Sequence, residues 1–124
     1  MIEGGCFCGK IRYAIEEGEY MVANCHCGMC RKTSAAPFVT WMVVPASAFR
    51  YLKGEPRRLV SSEKGERYFC PDCGSPVACR ILDRPEEVDI PTGSLDEPDQ
   101  FPPTIAVHED TRLSWLGVTE TKVG

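Results

Sequence analysis

The chain has 124 residues, a net charge of -4 and a hydrophobic fraction of 43%, and this length predicts a single domain, 1–124. No stretch reaches the ~18 consecutive apolar residues that a membrane-spanning helix needs. Acidic and basic residues are scattered without a basic run, which argues against nucleic acid as the main partner.

Eight cysteines are the most informative part of the composition. Residues 1–5 have neither a basic region nor an apolar stretch, so no signal peptide is visible and a reducing cytoplasm is the expected compartment. In that compartment, cysteines at metal-ligand spacing are more often zinc ligands than disulfides. We therefore interpret the cysteines as metal ligands.

The first half of the chain is predicted to contain short strands separated by turns. Polar and apolar residues alternate in 10–15, which is typical of a half-buried strand, and 20–24 is predicted to be extended. Residues 31–36 are predicted to form a helical turn that Pro37 ends. The β-branched and aromatic residues of 38–44 indicate a buried strand.

The second half continues the same pattern. Strands are predicted at 58–61, 77–81 and 87–90. Residues 105–108 and 113–116 are predicted to form a last antiparallel pair. Many short strands with a turn about every ten residues, and no helix longer than two turns, predict an all-β domain.

Three thiols lie within six positions, at Cys25, Cys27 and Cys30. Alternate residues of a strand point to the same side, so Cys25 and Cys27 share one side while His26 faces the other. A turn at 28–29 is expected to bring Cys30 back toward them. Three thiolates suit zinc, which binds sulfur at tetrahedral corners, and they leave one corner free. The free corner indicates an enzyme.

A second cysteine pattern, Cys70-Pro71-Asp72-Cys73-Gly74, is typical of a zinc knuckle whose glycine can take a positive φ. One such pair cannot fill a tetrahedron, and the isolated pair Cys6 and Cys8 is its natural complement. Four thiolates make a closed, structural site. Closing the loop of 61 residues between Cys8 and Cys70 costs about 3–4 kcal/mol of chain entropy. Structural zinc binding contributes on the order of 10–16 kcal/mol, which offsets that cost.

The charge of the three-cysteine group decides which chemistry fits it. Three thiolates around Zn²⁺ give a net charge of -1, so a bound water is acidified less than at a zinc with neutral ligands. A fourth thiolate, from a substrate, is the better partner for so soft a site. We therefore expect chemistry at a bond between sulfur and an electrophilic carbon. No residue identifies itself as the general acid or base.

Other interpretations of the same residues remain open at this point. The three-cysteine group is a second structural site if Cys79, His26 or His108 completes it. Otherwise Cys79 is a free buried cysteine, and His108 is structural or exposed. The basic pair 31–32 either attracts an anionic substrate or is simply solvated. Both tryptophans are expected to serve packing.

Seven of the cysteines stand in motifs that run nearly from end to end of the chain. These are Gly4-Gly5-Cys6-Phe7-Cys8-Gly9 with Arg12-Tyr13, Cys25-His26-Cys27-Gly28-Met29-Cys30-Arg31-Lys32, Ala48-Phe49, Gly54-Glu55, Phe69-Cys70-Pro71-Asp72-Cys73-Gly74-Ser75-Pro76, Gly93-Ser94-Leu95-Asp96 and Trp115. With them the chain resembles a short member of the glutathione-dependent formaldehyde-activating enzyme family, which also includes centromere protein V. Two positions differ: Ala35 stands where a glycine usually precedes Ala-Pro-Phe, and Ala106 where a histidine is frequent.

The resemblance implies a mainly β fold, a β-tent of small antiparallel sheets joined by a structural zinc, with only short helical turns. It implies that the structural zinc is held by Cys6, Cys8, Cys70 and Cys73. It implies that the catalytic zinc, to which the glutathione thiol binds, is held by Cys25, Cys27 and Cys30. The implied activity is the reversible formation of S-hydroxymethylglutathione from formaldehyde and glutathione, a carbon–sulfur lyase reaction.

Two functional hypotheses follow. The first is a cytoplasmic zinc-dependent carbon–sulfur lyase that acts on a thiol adduct, with a small thiol such as glutathione as its partner and a second zinc that is the more easily lost. The alternative is a non-catalytic zinc module that acts as a thiol carrier or a protein-interaction domain.

Overall fold

A computed structural model describes residues 1–117 of the chain. In this part there are ten β-strands, one α-helix of seven residues and several single 3-10 turns, so the mainly β class predicted from the sequence is confirmed. The strands are β1 (Ile2–Gly5), β2 (Arg12–Ile15), β3 (Met21–Cys25), β4 (Val39–Pro45), β5 (Phe49–Lys53), β6 (Arg57–Val60), β7 (Gly65–Phe69), β8 (Pro76–Ile81), β9 (Glu87–Pro91) and β10 (Ile105–Val107). The helix α1 is Gly28–Ser34. No helix of the described residues has the length and apolar content to cross a bilayer.

The strands form two sheets. The smaller has the order β1-β2-β5, and the larger has seven strands in the order β10-β3-β4-β9-β8-β7-β6. The larger sheet is therefore more extensive than the small sheets expected from the sequence.

The predicted antiparallel pairing of 105–108 with 113–116 is wrong. β10 instead pairs parallel with β3, with Val107 opposite Cys25, and 114–117 form a turn. The backbone N–H of His26 extends this pairing by donating to the carbonyl of Val107 at 3.1 Å. β10 thus provides hydrogen-bond partners for backbone groups on the edge of β3. A pairing of 105–108 with 113–116 alone would have left these groups without partners.

The strand β4 separates two buried regions. Met42 and Val44 point to one face, where they pack with Tyr13 and Ile15 of the smaller sheet in the main core. Trp41 points to the other face, where a second buried group contains Cys25, Cys30 and Cys79. Because successive side chains of a strand alternate between faces, this one strand lines both interiors. Each fully buried side chain of this size contributes about 1.5–3 kcal/mol of hydrophobic stabilisation.

The segment after β9 is tied to the smaller sheet by side chains from two of the sequence motifs. The guanidinium of Arg12 donates to both carboxylate oxygens of Asp96, at 2.9 and 2.5 Å, and Tyr13 Oη lies 2.5 Å from Ser94 Oγ. A side chain at Gly4 would meet the Ser94 carbonyl at 2.5 Å, so only glycine allows this close approach. These contacts explain why the Arg-Tyr and Gly-Ser-Leu-Asp motifs occur together.

The helix α1 begins three residues before the predicted helical turn and ends at Ser34, ahead of Pro37. The next residue, Ala35, has φ 55° and ψ 32°, which is the left-handed conformation. Such a conformation costs an L-amino acid roughly 1–2 kcal/mol because its Cβ crowds the carbonyl oxygen. The glycine that is usual at this position in similar sequences would avoid that cost.

We predict that Ala35→Gly raises the free energy of unfolding by about 1 kcal/mol, because the exposed position gains relief from left-handed strain. Urea unfolding of the zinc-loaded protein measures the change. Ala36→Gly is the matched control: its φ is not positive, so the substitution only adds chain entropy to the unfolded state and lowers stability. Equal destabilisation by both substitutions would contradict the explanation.

Candidate metal centres

The four-cysteine cluster joins two turns that are distant in sequence. Cys6 and Cys8 lie in the turn after β1, and Cys70 and Cys73 lie in the turn between β7 and β8. Their four sulfur atoms all lie within 4.8 Å of one another, with separations of 3.6 Å from Cys6 to Cys8 and 3.7 Å from Cys8 to Cys70. Sulfurs at the corners of a zinc tetrahedron lie roughly 3.8 Å apart when each bond is about 2.3 Å, whereas disulfide sulfurs are about 2.05 Å apart. The spacing therefore fits a metal ion.

Backbone N–H groups in both turns point at these sulfurs. The N–H of Ile11 donates to Cys6 Sγ at 3.2 Å, and the N–H of Cys73 donates to Cys70 Sγ at 3.5 Å. Gly74 follows with φ 79°, as the zinc-knuckle pattern predicted, and its N–H returns to the carbonyl of Cys70 at 2.8 Å. These donors stabilise negative charge on sulfur, which is the form that binds metal.

Ser75 connects the two turns. Its Oγ accepts a hydrogen bond from the N–H of Phe7 at 3.0 Å and lies 3.3 Å from Cys73 Sγ. Hydrogen bonds from Ser75 lower the pKa of the Cys73 thiol to about 5. A lowered pKa favours the thiolate form of Cys73, which is the form that binds a metal ion.

The three-cysteine cluster is built on one strand end and one helix start. Cys25 ends β3, Cys27 caps the N-terminus of α1, and Cys30 lies in the first turn of that helix. The three sulfurs lie within 4.8 Å of one another, with 3.5 Å between Cys25 and Cys30. The N–H of Cys30 donates to Cys27 Sγ at 3.3 Å. The expected turn at 28–29 is therefore the first turn of a helix, and it does bring Cys30 back toward the other two.

The three-cysteine cluster is incomplete as a tetrahedral site within residues 1–117, where no further His, Cys, Asp or Glu joins it. Cys25 and Cys30 are buried, while Cys27 is partly exposed. The four-cysteine cluster supplies a full set of ligands, so the two clusters differ in the way that structural and open zinc sites differ.

The other candidate ligands lie apart from the three sulfurs. His26 is buried and packs against Phe38, with 5.2 Å between ring centroids, as expected for a side chain on the opposite side of the strand. Cys79 is buried in the same apolar group as Cys30, where burial raises the pKa of its thiol to about 11, and its sulfur does not join the three that lie within 4.8 Å of one another. His108 is exposed.

One side chain at the three-cysteine cluster was missed by the sequence analysis. Arg67 donates from Nη2 to Cys30 Sγ at 3.6 Å, and its guanidinium carbon lies 5.9 Å from the centroid of the Trp41 ring. The contact with the Cys25 sulfur, followed by those with Cys27 and Arg67, holds the pKa of the Cys30 thiol below its usual range despite burial. The same contact with Cys30 raises the pKa of the Cys25 thiol, so without a metal ion the negative charge of the cluster is favoured on the Cys30 sulfur.

The sequence contains only a weak signal for Arg67. Strand alternation predicts that Arg67 and Phe69 share a face, but nothing local shows that this face meets a cysteine 37 positions earlier. For the basic pair 31–32, which follows the cluster, both attraction of an anionic substrate and simple solvation were left open. In the described structure these two residues are in the last turn of α1 and neither lines the neighbouring cleft.

A mainly apolar cleft of about 1050 Å³ lies beside the four-cysteine cluster and is lined by neighbours of the three-cysteine cluster, although none of Cys25, Cys27 and Cys30 lines it. Trp41 and Arg67 line it from the three-cysteine side, and Cys6 lines it from the other. Aromatic rings of Phe38 and Phe69 form part of the wall. Hydroxyl groups on the wall come from Thr33, Ser34, Thr40, Ser75, Thr92 and Ser94. A cleft of this size has room for a small organic thiol as large as a tripeptide.

Comparison with known proteins agrees with the resemblance found in the sequence. The family model described as glutathione-dependent formaldehyde-activating enzyme matches residues 1–111. A Halomonas elongata protein, provisionally named as a glutathione-dependent formaldehyde-activating enzyme, is 30% identical over 119 residues, which cover 87% of this chain and 73% of that protein. The crystal structure of a Rhodobacter sphaeroides protein shares the fold, with a TM-score of 0.66 at 19% identity over 86% of this chain and 100% of that chain. On the match to its model, which spans nearly the whole chain, this protein belongs to the glutathione-dependent formaldehyde-activating enzyme family.

Proposed function

We propose that the protein is a zinc-dependent carbon–sulfur lyase that acts on a thiol adduct similar to S-hydroxymethylglutathione, and that 1–124 form a single domain. The observation that carries the proposal is the group of three cysteine sulfurs without a fourth ligand in the described residues. Its neighbours Trp41 and Arg67 line a cleft large enough for a small thiol. The family name supports an enzyme and supports glutathione as its thiol.

The metal assignment belongs to the proposal. Structural zinc is assigned to Cys6, Cys8, Cys70 and Cys73. The second zinc is assigned to Cys25, Cys27 and Cys30. The sulfur separations and the N–H donors described above support zinc in both places. When bound at three thiolates, zinc supplies a soft electrophilic position that keeps an incoming thiol deprotonated at neutral pH.

The residues around the sulfurs suit a reaction in which charge develops on sulfur. In the lyase direction the bond between sulfur and the hydroxymethyl carbon breaks, and the electron pair stays on sulfur. The hydroxyl proton passes to solvent water as the carbonyl of formaldehyde forms, and addition reverses both changes. The Phe38 and Phe69 rings line the cleft, and its hydroxyl-bearing side chains can bind the polar body of a glutathione-like substrate.

The non-catalytic alternative uses the same three sulfurs and differs only in turnover. A thiol carrier would bind the adduct and release it unchanged. We also propose that the protein works in the cytoplasm, because a reducing compartment keeps cysteine ligands from forming disulfides.

We predict two zinc ions per chain in the parent and one in Cys27→Ser, which keeps its fold because the four-cysteine site is untouched. Cys73→Ser is expected to lose the structural ion and most of the folded population, since such an ion contributes on the order of 10–16 kcal/mol. Zinc content and thermal melting measure both effects. Cys79→Ala is the control and should keep two ions; loss of an ion from this variant would contradict the assignment of ligands.

The three-cysteine site should lose its ion to a chelator before the four-cysteine site does. It has one protein ligand fewer, and Cys27 is partly exposed, so a competing ligand can reach it. Titration with a chromogenic chelator, compared between the parent and Cys27→Ser, shows which ion leaves in which step. Release of the four-cysteine ion first would be incompatible with an open second site.

The zinc-loaded parent is expected to release formaldehyde from S-hydroxymethylglutathione faster than the uncatalysed reaction, and Cys27→Ser should fall to the uncatalysed rate because it lacks the second ion. Formaldehyde release is measured directly, with Cys79→Ala as the matched cysteine control. A parent that holds two ions and turns over no thiol adduct would reject the lyase and leave the carrier.

A further inference from the structure

Arg67 is a charged side chain whose hydrogen-bonding partner is a cysteine sulfur and not a carboxylate. It is half-buried, and it forms none of the ion pairs with carboxylates found in residues 1–117. Its Nε is buried without a hydrogen-bond partner in the same residues. Among the described residues, its one polar side-chain contact is the hydrogen bond from Nη2 to Cys30 Sγ, at 3.6 Å. A half-buried cation in this position needs an anion nearby, and the Cys30 sulfur is the group to which it donates.

The three-cysteine site, with zinc bound, carries a negative charge that a nearby cation would balance. Three thiolates with a divalent zinc carry a net charge of -1, and a fourth thiolate from a substrate makes it -2. A guanidinium hydrogen-bonded to one of these sulfurs offsets the first negative charge. Groups that hydrogen-bond to metal ligands in this way orient the ligands and tune the metal.

The packing of Arg67 fixes it in place for this role. Its guanidinium lies over Trp41, which shares the buried group of Cys25 and Cys30. In the sheet, Arg67 is paired with Cys79 of the neighbouring strand β8. The Trp41 ring, the pairing with β8 and the Cys30 sulfur together hold the planar guanidinium against the three-cysteine cluster.

We infer that Arg67 is a positioning residue that balances the charge of the three-cysteine site and thereby strengthens its hold on zinc and on a substrate thiolate. The inference rests on the proposed function, because it requires zinc at Cys25, Cys27 and Cys30. It assigns the stabilising charge to β7, which contributes no ligand to that site, and not to the basic pair 31–32 next to the ligands.

The test compares zinc affinity of the second site, measured without substrate by chelator competition at pH 7. Arg67→Gln removes the charge and is expected to weaken zinc binding by about 10–100-fold, the usual effect of losing a partner that orients metal ligands. Arg67→Lys keeps the charge but loses the planar group, so it should bind zinc more tightly than Arg67→Gln does. Arg67→Met keeps an unbranched chain over the Trp41 ring and repeats the loss of charge, which gives the same comparison if Arg67→Gln does not fold.

The matched control is Arg58→Gln, which removes an exposed arginine of the neighbouring strand β6 that pairs with Glu66. Its zinc affinity should equal that of the parent, and the four-cysteine ion should stay bound in every variant. Equal affinity in the parent and Arg67→Gln, or equally weak affinity in Arg67→Lys and Arg67→Gln, would overturn the inference while leaving the proposed function intact. A parent that binds only one zinc would instead overturn both.

Discussion

Negative charge on crowded, largely buried sulfur atoms is the constraint on which this structure depends. Seven cysteine sulfurs gather in two groups, with nearest separations of 3.5 to 3.7 Å. Thiolates this close repel one another unless a cation lies between them. The backbone N–H groups that donate to the sulfurs stabilise thiolates more than neutral thiols. One group brings the turn after β1 to the turn before β8, so the ion proposed there is also the cross-link of a small domain.

The difference between the two cysteine groups is the structural reason to regard this protein as a candidate enzyme. The four-cysteine group is closed, and Ser75 ties its two turns together. The three-cysteine group lies on the opposite face of β4, with Cys27 partly exposed and Arg67 hydrogen-bonded to Cys30. The cleft is lined by Cys6 of one group and by Trp41 and Arg67 next to the other. The closed four-cysteine site is suited to stabilising the fold, and the open, charged three-cysteine site is suited to binding a thiol.

The sequence predicted those features that depend on local spacing. Cysteines two or three positions apart lie close together along one side of a strand or in a turn, so each local set could be located from its spacing, and alternation located most strands. The joining of Cys6 and Cys8 with the distant pair Cys70 and Cys73 was inferred because either pair alone leaves a tetrahedron incomplete. Contacts between distant segments were not predictable in this way. Examples are the pairing of β10 with the edge of β3 and the hydrogen bond from Arg67 to the sulfur of Cys30, 37 positions earlier in the sequence. The start of α1 was missed because cysteine is not a usual helix cap, whereas here Cys27 Sγ accepts the Cys30 N–H.

Anomalous diffraction at the zinc edge, from crystals of the zinc-loaded protein, tests the central division of the sulfurs most directly. The account predicts two zinc peaks: one bound by four cysteine sulfurs, and one bound by Cys25, Cys27 and Cys30 with a fourth ligand that the protein does not supply. A single peak, or a second zinc whose fourth ligand is a side chain of this chain, would contradict it.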